Sequence, residues 1–102
     1  MARRALVAEG VEVVAEVERG VDVVEIVRTW QPDVVLIDVR MPDVDGPEVA
    51  RRLCSQGGRS AVILISTVDV ISGRRLAEGV AVGYLPKDEL CLAAIYDLLP
   101  AQ

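Results

Sequence analysis

Runs of consecutive valine, isoleucine and leucine alternate along the chain with stretches in which apolar residues recur every three or four positions. That alternation predicts an α/β domain with a mostly parallel sheet. Residues 3–9 read as the end of a helix stopped by Gly10, and the valine-rich stretch Val11–Val17 reads as a strand, with Gly20 closing the unit. Val23, Ile26, Val27 and Trp30 then form one apolar helical face, and Pro32 marks where that helix has ended. In Asp33–Asp38 four large apolar residues run together and finish in a carboxylate, the pattern of a central parallel strand covered on both faces.

Residues 39–45 form a loop, and Gly46-Pro47 opens a helix to about Cys54 with Val49, Ala50 and Leu53 inward, terminated at Gly57-Gly58. Ala61–Ile65 repeats the two-faced strand pattern and leads into Ser66-Thr67. A helix over about residues 70–78 is weakened by Gly73, and a short strand over about 80–85 passes through Pro86-Lys87 into a last helix. Asp88 is the expected N-cap of that helix, Leu90, Ala94, Ile95 and Leu98 its apolar face, and Pro100 its end.

The length of 102 residues fits one domain, 1–102, with no separate output domain, and area scaling lets such a chain bury roughly 65% of its unfolded surface. No apolar run approaches the ~20 residues that span a bilayer, and Met1-Ala2-Arg3-Arg4 lacks a signal-peptide pattern, so a cytoplasmic protein is expected. A net charge of −5, with arginines scattered instead of gathered in a stripe, argues against direct nucleic-acid binding. Cys54 and Cys91 show no CxxC spacing, and their apolar surroundings predict small buried core residues in place of a zinc site or disulfide. The chain has no histidine, which removes the imidazole base of the usual serine and cysteine triads.

Three predicted strands end in a polar residue after an apolar run: Asp38, Ser66 and Lys87. Taken singly, each has an ordinary explanation as a turn residue, a strand-end hydroxyl or a solvated charge. Open α/β sheets bind ligands beyond the carboxyl ends of their strands, so the three converge on one place. A carboxylate there can act as nucleophile, a hydroxyl can bond a phosphoryl oxygen, and an ammonium can neutralise its charge.

Through residues 33–46, ending Asp38-Val39-Arg40-Met41-Pro42-Asp43-Val44-Asp45-Gly46, and through Gly83-Tyr84-Leu85-Pro86-Lys87, the chain resembles the receiver domains of two-component response regulators. The likeness leans toward receivers of helix-turn-helix (NarL/LuxR-type) regulators. It implies a flavodoxin-like, doubly wound parallel sheet and a signalling domain rather than an enzyme. Asp38 matches the aspartate that takes a phosphoryl group from a sensor histidine kinase, Ser66 the switch hydroxyl, Tyr84 the switch aromatic, and Lys87 the pocket lysine. Arg40 would offer a metal only its backbone carbonyl, while Met41-Pro42 and Gly46 match the loop that shapes the pocket, glycine there permitting positive φ.

Family members begin with a strand ending in an acidic pair that helps to bind Mg²⁺, and this chain reads as starting after it. Four strands are therefore expected, and Glu9 and Glu12 fall where neither can be assigned to the pair. Asp38 alone should hold Mg²⁺ weakly. The gap would expose apolar strand edges, predicting either pairing of Val11–Val17 with Asp33–Asp38 or a homodimer. The expected function is a phosphorelay receiver with impaired phosphorylation, its partner a sensor kinase or another signalling protein. The alternative is a phosphorylation-independent pseudo-receiver that serves as a protein-interaction or dimerisation module. A small α/β enzyme would need a base or a cofactor loop, and no GxGxxG or P-loop is present.

Overall fold

Residues 19–57, 60–67 and 69–99 are described by the computed structural model, and the expected helix over 3–9, the strand Val11–Val17, Glu9, Glu12 and Pro100 lie outside them. The elements run α1 (Gly20–Trp30), β1 (Val34–Asp38), α2 (Gly46–Ser55), β2 (Ala61–Ser66), α3 (Val70–Ala77), β3 (Gly83–Pro86), a 3-10 turn (Lys87–Glu89) and α4 (Leu92–Leu98). The described strands form one parallel sheet in the order β1-β2-β3. Asp38 stands opposite Ile65, and Ser66 opposite Pro86, so the register brings the ends of all three strands to one edge.

Helices cover both faces of this sheet, the doubly wound arrangement that the alternating pattern predicts. On one face Val35, Ile37, Val62, Leu64 and Tyr84 pack with Val23 of α1, Val49, Ala50 and Leu53 of α2 and Ala77 of α3. On the other, Ile63, Ile65 and Leu85 pack with Ile95 of α4, joined by the partly buried Val34, Leu36, Leu90, Ala94 and Leu98. Each fully buried large aliphatic side chain is worth about 1.5–3 kcal/mol of transfer free energy, so Ile37, Ile63 and Leu64 anchor the fold.

Both aliphatic runs are covered on both faces, as their pattern predicts: β2 is buried from Val62 to Ser66, and in β1 Val35 and Ile37 are buried on one face while Val34 and Leu36 are partly buried on the other. Other expectations are corrected. Trp30 ends α1 facing solvent, 55% exposed, since Gln31 turns the chain into the left-handed region directly after it. Cys54 is exposed on the outer side of α2, and Cys91 is half-buried as the N-cap of α4, its Sγ accepting from the Ala94 N–H at 3.5 Å. Asp88 is therefore no cap; it sits in the 3-10 turn. The third strand begins at Gly83 because the N–H groups of Val80 and Ala81 bond back to the Ala77 carbonyl, prolonging the turn after α3.

Candidate functional site

β1 delivers Asp38 to the strand edge, and the loop after it is built around that residue. The Val39 N–H continues the ladder by donating to the Ile65 carbonyl at 2.9 Å, and the Arg40 N–H then donates to Asp38 Oδ1 at 3.0 Å. This local side-chain turn fixes one carboxylate oxygen without outside help. The loop closes where the Gly46 N–H donates to the Val39 carbonyl at 2.9 Å. A Cβ on Gly46 would collide with the carbonyl oxygen of Asp38 and with Val39 Cα. Glycine is thus required by close approach and not by positive φ, which among the described glycines occurs only at Gly57 and Gly79.

Two other carboxylates of the loop are committed to helix N-termini. Asp45 caps α2 by accepting from the Glu48 N–H at 2.8 Å. Asp43 reaches across to α1, accepting from the N–H groups of Gly20 at 2.8 Å and Val21 at 3.0 Å. The Val21 N–H foremost, with that of Gly20, holds the Asp43 carboxyl below its usual range by stabilising its charge. Pattern reading missed this clamp, since its partners lie more than twenty residues upstream and nothing local announces them.

Lys87 opens the turn after β3 and its ammonium pairs with Asp38 Oδ2. Both side chains are about a third exposed. Between them, at the end of β2, Ser66 is 3% exposed, and its backbone carbonyl accepts from the Tyr84 hydroxyl at 3.1 Å. Burial, followed by the negative charge of Asp69, pushes the Tyr84 phenol above its ordinary pKa. Thr67 lies beyond the strand, exposed, so Ser66 is the hydroxyl residue that the strand itself presents. Asp38, Ser66, Tyr84 and Lys87, named from the sequence as one site, are thus brought together at one edge of the sheet.

Receiver domains generally bind Mg²⁺ at an acidic pocket. Here the described donors are the Asp38 carboxylate, engaged by the Arg40 N–H and Lys87, and the Arg40 carbonyl. Among the described residues no group of three or more histidines, cysteines, aspartates or glutamates could hold a metal ion. This set by itself does not fit a Mg²⁺ site, which wants near-octahedral oxygen coordination.

A topologically ordered parallel sheet with carboxylate, hydroxyl and ammonium at its carboxyl edge has the architecture of a signalling receiver, and sequence comparison bears this out. Residues 1–94 match the family model described as response regulator receiver domain. The chain belongs to that family. It is 41% identical over 88 residues to the probable transcriptional regulatory protein NarL of Mycobacterium tuberculosis, covering 83% of this chain and 40% of that protein. It is 33% identical over 88 residues to the DNA-binding transcriptional activator EvgA of Escherichia coli, covering 85% of this chain and 43% of that protein. The chain therefore spans less than half the length of these curated relatives. The solved signal receiver domain of the putative response regulator NarL from M. tuberculosis superposes with a TM-score of 0.83 at 35% identity, over 94% of this chain and 82% of that one. Among the described residues no helix is long and apolar enough to cross a membrane.

Proposed function

We propose that this receiver takes a phosphoryl group on Asp38 from a sensor histidine kinase, and that it does so slowly. The ion pair between Lys87 and Asp38 carries the reading, because it joins a nucleophile to a positive charge across two separate strand ends. In the proposed step an Asp38 carboxylate oxygen bonds to phosphorus as the bond from phosphorus to the donor breaks. Lys87 stays beside the added oxygens and offsets their charge, and Ser66 lines the pocket from the strand between. Tyr84 ties the end of β2 to β3, so a change at Ser66 is felt at the buried aromatic.

Slow transfer is supported by the single carboxylate that the described residues offer here, Asp43 and Asp45 both being spent on helix caps. The same observation favours a second reading, a pseudo-receiver that signals by protein contact alone. Intact mass after incubation with acetyl phosphate and Mg²⁺ separates them. A gain of one phosphoryl group that Asp38→Asn abolishes is the expected result; no gain in a folded sample sinks the phospho-acceptor role and leaves the second reading.

A further inference from the structure

Gly73 lies in the interior of α3, where glycine is among the least favourable residues, yet it is buried there. A Cβ at this position would overlap Cγ, Cδ2 and Cε2 of the Tyr84 ring. The ring is 4% exposed and its hydroxyl is bonded to the Ser66 carbonyl, so it has no slack to yield while keeping that bond. α3 is also pinned at its start, since Asp69 caps it by accepting from the Ser72 N–H at 2.9 Å and the Ser72 hydroxyl at 2.8 Å. A helix fixed at one end and a ring fixed at its tip meet at a residue with no side chain.

We infer that Gly73 is a positioning residue for the pocket: its missing side chain is the seat of the Tyr84 ring, and through the Tyr84–Ser66 bond it fixes the end of β2. The helix face opposite this seat carries Ile71, 71% exposed, and the placement of that outer face is thereby mechanically tied to Ser66. The steric argument stands on the fold alone, while its meaning for phosphoryl transfer rests on the function proposed above. Without the seat, ring and helix cannot both keep their places, and the ring is the part free to rotate about its side-chain bonds.

The test needs no phosphoryl donor, so it stands apart from the mass experiment. In a Tyr96→Phe background, 3-fluorotyrosine labels Tyr84 alone, and its fluorine solvent isotope shift reads exposure. Gly73→Ala is expected to raise that shift from near zero toward the value of a solvated tyrosine, to move the Thr67 amide resonance next to the Ser66 carbonyl, and to lower Tm. With Tyr84→Ala as background, Gly73→Ala should instead raise Tm, because only the gain in helix propensity remains. A rise in Tm in both backgrounds overturns the inference. So does a fall in Tm with Tyr84 still shielded and the Thr67 amide unmoved.

Discussion

Gly46 sits against the backbone carbonyl of Asp38, so close that a methyl group has no room between the start of α2 and the end of β1. The first turn of a helix is thereby pressed onto the residue proposed above as the phosphoryl acceptor. Gly46→Ala should for this reason destabilise the domain by about 1–3 kcal/mol, the usual range for overpacking, although alanine normally favours a helix. Urea unfolding checks the sign; a stabilised variant would mean that the loop relaxes freely.

Lys87 and Asp38 are both partly solvated, so their pair is expected to matter more for chemistry than for stability. Lys87→Ala should change unfolding free energy by only about 0–1 kcal/mol. The rate of phosphoryl acceptance should fall about 100-fold, comparable with loss of one charge-stabilising group elsewhere. Paired denaturation and mass-spectrometric rate measurements decide it, and equal losses in both would mark the lysine as merely structural.

Leu64 is fully buried in the middle strand. Leu64→Ala should cost about 2–5 kcal/mol, while Ile71→Ala, on the exposed face of α3, should stay within about 0.5 kcal/mol. Chemical denaturation of the two variants side by side gives the contrast.

Asp43 titrates below its usual value because two backbone N–H groups of α1 stabilise its charge. A depressed folded-state pKa means that its contribution is full above the unfolded pKa, near 3.8, and is lost as pH falls through the folded value. Asp43→Asn should therefore lower Tm at neutral pH and make the curve of Tm against pH shallower below about pH 4. An acid limb as steep as that of the wild type would show that the clamp contributes nothing.

Strand cores and the three polar strand ends were legible because the relevant signals are local: runs of four and five aliphatic residues terminated by Asp38 and Ser66, and the short Gly83-Tyr84-Leu85-Pro86 stretch followed by Lys87. Boundaries were less so. Val80 and Ala81 are chemically indistinguishable from strand residues, and only their hydrogen bonds to Ala77 reveal a turn. Which aliphatic run lies in the middle of the three described strands depends on ladder partners, so β1 and β2 read alike until they are paired. Asp43 and Gly73 escaped for a related reason, as one caps a distant helix and the other is explained by an aromatic ring eleven positions away.

The central place of β2 also sets an order of events for a chain leaving the ribosome. Of the three described strands β1 emerges first, and its ladder with β2 has to wait through the synthesis of all of α2. Delivery of β2 lets the β1–β2 pairing close across that long intervening segment, and β3 can join only afterwards. The side of β1 that faces β2 is accordingly left unpaired between the arrival of Asp38 and the arrival of Ser66, a window governed by how fast α2 is translated.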